Sequence, residues 1–350
     1  MQSLYAKEIS KLQSAEELFE LLKEVQLDHP LCFYTLERCQ QLFPLIEEIN
    51  ELKKEKNALI LAHSYVHPDI IYTVADHTGD SFGLSMIAGH SEHSTLVFPS
   101  VRFMAETAKI LNPTKMVIDP NPMGGCSLAD SITAVEVRKL KALHPDFTFI
   151  CYINTTAEVK AECDVCVTSS NVYKIIENIP SKKLFFLPDT LMGKNLQEFI
   201  ESRRLNKILK VFEKGSCYVH EEFDVETIHL LKHSHKNLTI LAHPECSPSV
   251  VAKAQVVGST TGLMDHLKTH AKPGEKFLLL TECGIASRLK VERPDIELIG
   301  SCMVCKYMKS NHLEHIRDAL LSPENYRVEL DPNIQAKARK CLDEMFELSS

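Results

Sequence analysis

One pattern occurs three times along the 350-residue chain and constrains its fold more than any other feature. "LILAHSY" from Leu59, "FICYINT" from Phe149 and "TILAHPE" from Thr239 each open a segment of the same design, and each segment spans about 90 residues. A short apolar run leads to a polar pair: His63 and Tyr65, then Tyr152 and Asn154, then His243 and Glu245. A helical stretch and a small-residue turn follow, "GDS" at 79–81, "TSSN" at 168–171 and "GSTTG" at 258–262. The second half repeats as well. "TLVFPSVRFMAETAKIL", "KLFFLPDTLMGKNL" and "FLLLTECGIASRL" each read as a buried strand, a turn and a helix. Strands that alternate with helices build parallel sheets covered on both faces. The expected fold is therefore α/β: three related α/β/α three-layer domains about a pseudo-threefold axis, with N- and C-terminal helices. The spacing sets a helical extension over 1–50, units over 51–147, 148–236 and 237–330, and a C-terminal helix over 331–350. Ser14 and Glu17 predict a capping box, and Asp331-Pro332 predicts the start of the last helix.

Composition narrows the function classes. A net charge of −8 with no basic run argues against nucleic acid as a partner, because phosphate binding needs clustered cations. No apolar stretch approaches the ~20 residues of a membrane span, and the first residues show no signal-peptide pattern, so a soluble cytoplasmic protein is expected. Neither G-x-G-x-x-G after a strand nor a G-x-x-x-x-G-K-[ST] loop is present, which disfavours a nicotinamide dehydrogenase or a phosphate-loop enzyme.

The chain has twelve cysteines, too many to ignore and, in a reducing compartment, not expected to form a disulfide framework. Cys32, Cys39, Cys151 and Cys341 fit buried core positions, and Cys163-x-x-Cys166 is read as core because the other two units lack matching thiols. Three others follow the repeat. Cys126 lies 63 residues after His63, Cys217 lies 63 after Asn154, and Cys305 lies 62 after His243. Each follows a glycine-bearing turn and precedes a helical pattern. Equivalent positions about a pseudo-threefold axis would bring these three thiols to one point. In the third unit "GSCMVC" leaves a choice: the phrase itself aligns Cys302 with Cys217, whereas the spacing favours Cys305. Three thiolates with an open fourth position suit zinc or an iron–sulfur cubane, and spacing alone does not separate them.

The phrases "AHSYVHPDI", "GDSFGLS", "FMAETAKILNP", "GCSLAD", "YINTTAEVKA", "TSSN", "FLPD", "GSCYVHEEF", "AHPECSPSVV", "VGSTTG" and "CKYMKSNHLE" together resemble the quinolinate synthase family, in the family's order from about residue 50 onward. The resemblance implies three α/β domains around a central [4Fe–4S] cluster held by Cys126, Cys217 and Cys305; the "KSN" phrase selects Cys305 over Cys302. It implies condensation of iminoaspartate with dihydroxyacetone phosphate to quinolinate, with loss of phosphate and two waters, in de novo NAD biosynthesis. An L-aspartate oxidase or dehydrogenase would be the supplying partner. By the same resemblance, Tyr65 carries acid/base shuttling with His63 beside it, and Glu245 serves as general base near the open iron. Tyr152 and Asn154 orient substrate. Ser81, Ser169, Ser259 and Thr260 hold carboxylates and phosphate, and His220 and His243 reach the substrate.

Some features depart from the pattern. "FPSVRF" at 98–103 replaces a Cys-Gly common in the family, and Cys302 introduces a candidate redox-sensitive thiol beside Cys305. The alternatives are a zinc hydrolase with three cysteine ligands and a non-enzymatic iron–sulfur sensor. Iron and sulfide content separates the first from the synthase; the acidic charge and the lack of a helix-turn-helix signal count against the second.

Overall fold

Each repeat becomes one four-stranded parallel sheet, and the three sheets share one strand order. The computed structural model describes residues 12–25, 33–300 and 302–350. The first sheet holds β1 (Ala58–His63), β2 (His77–Gly79), β3 (Thr95–Val97) and β4 (Met116–Ile118). The second holds β5 (Thr148–Tyr152), β6 (Val165–Val167), β7 (Lys183–Leu187) and β8 (Ile208–Val211). The third holds β9 (Thr239–Ala242), β10 (Val256–Val257), β11 (Lys276–Leu280) and β12 (Glu297–Leu298). In each sheet the first strand of the unit lies between the second and the third, with the fourth at the far edge. β1, β5 and β9 are therefore the strands at which the connections switch direction, and ligands of open parallel sheets collect at the carboxyl ends of such strands.

The register of the switch strand is pinned identically three times. The Asp76 carboxylate accepts the Ile60 amide at 2.8 Å while its own amide donates to the Ile60 carbonyl at 2.9 Å. Asp164 does the same to Phe149 at 2.7 and 2.9 Å, and Gln255 to Ile240 at 2.8 and 2.9 Å. A slip of one residue would turn every side chain of the strand to the other face, so this paired bond also decides which residues reach the strand end. Three residues beyond each pinned position stand His63, Tyr152 and His243.

Helices cover the sheets in equivalent places. After the third strand of each unit come Arg102–Leu111, Thr190–Ser202 and Cys283–Glu292, and after the cysteine loops come Ala134–Leu143, Val225–Ser234 and Leu313–Leu321. Helix Leu36–Glu55 packs against both β1 and Leu313–Leu321, tying the first unit to the end of the third. The last helix, Pro332–Ser349, starts as expected at Asp331, whose carboxylate accepts the Asn333 and Ile334 amides, and it packs over Ala157–Glu162 and β6. The box expected at Ser14 is only half formed: Ser14 Oγ accepts the Glu17 amide, but the Glu17 carboxylate takes the Gln13 amide instead. The reciprocal box occurs at Thr133 and Glu136.

Cys39, Cys151, Cys163, Cys166 and Cys341 are buried core thiols, with the Cys151 and Cys341 sulfurs 3.6 Å apart; Cys32 lies outside the described residues. No disulfide framework was expected, but Cys302, marked from sequence as a candidate redox-sensitive thiol, is joined to Cys283 in a disulfide. Helix folding carries Cys283 to the first turn of its helix, beside the Cys302 loop, a juxtaposition that linear spacing does not show. Among the described residues no helix is long and apolar enough to cross a membrane.

Helix Thr190–Ser202 approaches β8 through Gly193, where a Cβ would stand 2.3 Å from Val211 Cγ1 and 2.8 Å from Cγ2. Gly193→Ala is expected to destabilise the protein by about 1–3 kcal/mol through overpacking, read as a lower urea midpoint at unchanged slope.

Candidate active site

One backbone hydrogen bond, repeated in all three units, hangs the cysteine loops from the sheets. The first residue of the helix after the third strand donates its amide to the carbonyl two positions before the cysteine. The pairs are Arg102 to Gly124 at 3.0 Å, Thr190 to Gly215 at 2.8 Å and Cys283 to Met303 at 2.9 Å. Each cysteine carbonyl then opens a helical turn, accepting the amides of Asp130, Glu221 and Lys309 at 2.9, 3.0 and 2.9 Å. Both bonds align Cys305, not Cys302, with Cys126 and Cys217. Gly215 is required at its place, since a Cβ there would lie 2.3 Å from the Pro188 carbonyl oxygen.

Cys126, Cys217 and Cys305, each half-buried, line one cavity. The lining also includes His63, Tyr65, Ser81, Tyr152, Asn154, Ser169, His220, His243, Glu245 and Thr260. Of the residues singled out from sequence, Ser259 alone stays outside it. Its hydroxyl accepts the Gly262 amide as the N-cap of helix Thr260–His270, so the cap turns it away and presents Thr260. The sequence reading missed Asp80, Tyr218, Glu282 and Tyr307, which also line the cavity. Glu282 could have been found from the repeat: it follows β11 where Asp189 follows β7.

The polar groups form one connected network. The Tyr152 hydroxyl donates to Glu245 Oε1 at 2.6 Å, and His220 Nδ1 lies 2.9 Å from Glu245 Oε2 and 3.3 Å from Cys217 Sγ. His220 Nε2 is 3.2 Å from Thr281 Oγ1, which is 3.0 Å from the Tyr65 hydroxyl; Thr260 Oγ1 donates to that hydroxyl at 2.7 Å. His220 and His243 stack with ring centroids 4.6 Å apart. His63 and His243 are held alike: Nδ1 of each accepts the amide two residues on, from Tyr65 at 3.2 Å and Glu245 at 3.3 Å. An Nδ1 that accepts leaves the proton on Nε2, so each ring offers a neutral N–H donor.

Burial governs the titration of these groups. It lowers His63 to about 4 and His243 to about 3, and it pushes the Tyr65 and Tyr152 phenols well above their ordinary value. At Glu245 burial acts upward, but the neighbouring His220 and His243 rings and the bonds from His220 and Tyr152 outweigh it and hold the carboxyl below the usual range. Burial also raises the thiols, Cys126 to about 12, with Cys217 and Cys305 raised as well. The site thus contains protonated phenols, neutral imidazoles and the Glu245 carboxylate, with Asp80 and Glu282 also on its lining. Its thiols ionise only where a cation compensates them. Cys217 Sγ, His220 and Glu245 also place one donor atom each within 4.8 Å of the others, a spacing compatible with a single ion.

The fold and site define a class: an α/β enzyme whose cavity lies among three pseudo-equivalent parallel units, with one thiol contributed by each. The family model described as quinolinate synthetase A protein matches residues 47–347. Quinolinate synthase of Xylella fastidiosa (strain 9a5c) is 37% identical over 348 residues, covering 96% of this chain and 100% of the relative. Quinolinate synthase of Caldicellulosiruptor bescii is 42% identical over 306 residues, or 87% of this chain and 98% of the relative. Quinolinate synthase 2 of Mesorhizobium japonicum is 38% identical over 325 residues, or 90% and 98%. The chain belongs to the quinolinate synthase family.

The depressed histidines give the fold a pH dependence. Folding favours the neutral rings, so their contribution is whole above about pH 6.5 and is lost as pH falls toward about 4 for His63 and about 3 for His243. The unfolding free energy is expected to fall between pH 6.5 and pH 4, and His63→Gln should remove up to about 3 kcal/mol of that fall. Denaturant titrations at both pH values for the wild type and the variant measure it.

Proposed function

We propose that the chain is a quinolinate synthase that condenses iminoaspartate with dihydroxyacetone phosphate and releases phosphate and two waters. Its place is the cytoplasm, in de novo NAD biosynthesis, downstream of an L-aspartate oxidase or dehydrogenase that supplies the imine. The observation that carries this reading is the arrival of three equivalent thiols, Cys126, Cys217 and Cys305, in the lining of one cavity that also carries imidazoles, hydroxyls and the Glu245 carboxylate. A [4Fe–4S] cluster on these residues would supply a Lewis-acidic iron without a protein ligand.

The chain's own groups fit the substrates. Two carboxylates and a phosphate need donors, and the neutral Nε2–H groups of His63 and His243 offer them without the cost of a buried charge. Thr260 and Ser81 begin helices whose free amides add anion-binding capacity, with Ser169 and Asn154 on the same wall. Tyr65 remains protonated and is linked to Thr260 and Thr281, so it can give a proton to a substrate oxygen and recover it through the hydroxyl pair. Glu245, ionised and oriented by Tyr152 and His220, can take a proton from a substrate carbon or nitrogen. A second reading rests on the Cys217, His220 and Glu245 donors, which would hold one zinc and support hydrolysis.

Anaerobic purification with iron and sulfide quantitation separates the two. About four irons with matching sulfide, lost in Cys305→Ser and kept in Cys302→Ser, are expected. Zinc without sulfide would remove the cluster reading. With the cluster loaded, Tyr65→Phe and Glu245→Gln should each lower kcat by about 10²–10⁴ while iron content is unchanged.

A further inference from the structure

The three cysteine loops hang from equivalent backbone bonds, and two of their equivalent positions differ in charge in a way that converges on Cys305. The residue before the helix that holds the loop is Val101 in the first unit, Asp189 in the second and Glu282 in the third. The residue whose amide closes the turn after the cysteine is Asp130, Glu221 and Lys309, respectively. Asp130 and Glu221 are exposed, whereas Lys309 is 1% exposed and Glu282 is 1% exposed. The third unit has thus exchanged an exposed acid for a buried cation and supplied it with a carboxylate.

Their contacts tie three parts of the site together. Glu282 Oε1 accepts the Cys305 amide at 3.1 Å and lies 3.3 Å from Lys309 Nζ, while Glu282 Oε2 accepts the Gly284 amide at 2.5 Å. Lys309 Nζ also donates to the Tyr65 carbonyl, and the Lys309 carbonyl accepts His67 Nε2 at 2.8 Å. Gly284 permits this closeness, since a Cβ there would stand 2.5 Å from the Ser64 carbonyl oxygen and 2.6 Å from Tyr65 Cα. One buried ion pair therefore holds the backbone of the third thiol and the backbone of the acid/base tyrosine. Asp189, its counterpart in the second unit, spends one carboxylate oxygen on the Leu191 and Met192 amides and makes no bond to the cysteine loop.

We propose that Glu282 and Lys309 are a positioning pair that fixes the Cys305 arm relative to Tyr65 and sets the charge beside that arm, so that the two residues tune the bound cluster in opposite directions. This rests on the cluster reading above. In a dry site a fixed charge acts over many ångströms with little screening. The Glu282 carboxylate opposes the added electron of a reduced cluster and Lys309 favours it. A purely structural pair would instead damage the site in the same way whichever partner was removed.

The test uses the anaerobically purified, cluster-loaded protein and follows one-electron reduction of the cluster by redox titration with spectroscopic readout. Glu282→Gln keeps an oxygen to accept the Cys305 amide and removes the charge, losing the bond from the Gly284 amide as well. It should retain iron and make reduction easier by about tenfold or more in the equilibrium constant, about 59 mV. Lys309→Met should make reduction harder by a similar factor, and the double variant should return toward the wild-type potential with its iron intact. Shifts of the same sign, or no shift in iron-retaining Glu282→Gln, would overturn the inference and leave the cluster assignment standing. Should Lys309→Met fail to fold, Glu282→Gln beside Lys309→Arg decides it: a rise in the first and a wild-type potential in the second support the pair. Wild-type protein without iron and sulfide would overturn the cluster reading and this inference together.

Discussion

Everything in the site hangs from the amide-to-carbonyl bond that joins the start of a helix to the residue two before each cysteine. Arg102, Thr190 and Cys283 make it to Gly124, Gly215 and Met303. The helix start is itself fixed by the strand before it, and the strand by the pinned register of its neighbour. A thiol at the tip of an irregular loop thus inherits the rigidity of a parallel sheet. Because the bond is made by backbone, it does not care which side chains the three units carry. The frame can stay threefold while its contents diverge.

Divergence is where the chemistry enters. At the ends of β1, β5 and β9 the same position carries His63, Tyr152 and His243, and two residues later stand Tyr65, Asn154 and Glu245. A symmetric site would offer one kind of group three times. This one offers neutral imidazole donors, protonated phenols and, at a strand end, the Glu245 carboxylate, held in their states by burial and by their neighbours. Glu245 of the third unit is oriented by Tyr152 and His220 of the second, and Tyr65 of the first by Thr260 and Thr281 of the third. No unit contains a complete set. The network is the reason the three domains must assemble around one cavity.

Burial has a second consequence for the thiols. A low-dielectric pocket disfavours thiolate, and Cys217 faces the Glu245 charge as well. A cation bound there would offset that cost, and its binding would be coupled to release of protons. The same principle explains why Lys309 tolerates complete burial: Glu282 and the Tyr65 carbonyl satisfy it.

The repeat, the strand–helix alternation, the terminal helix at Asp331 and the three loop cysteines were all legible in the sequence, because apolar periodicity and turn chemistry are local and recur at one spacing. Most of the polar groups chosen from the chain line the cavity for the same reason: they sit at corresponding strand ends. Sequence alone left Cys302 and Cys305 in competition, because a repeated phrase and a repeated distance pointed to different residues; the backbone bond to Met303 aligns Cys305. It also counted Ser259 with Thr260, which only the geometry of a cap divides; it marked Cys302 as redox-sensitive without identifying Cys283 as its partner, and it had no sign of the Glu282–Lys309 pair. Sequence by itself determined which elements form and in what order, since those follow from contacts a few residues apart. Tertiary structure decided which groups meet across units and in what ionisation state, since distance, burial and the direction of a side chain are properties of the packed chain.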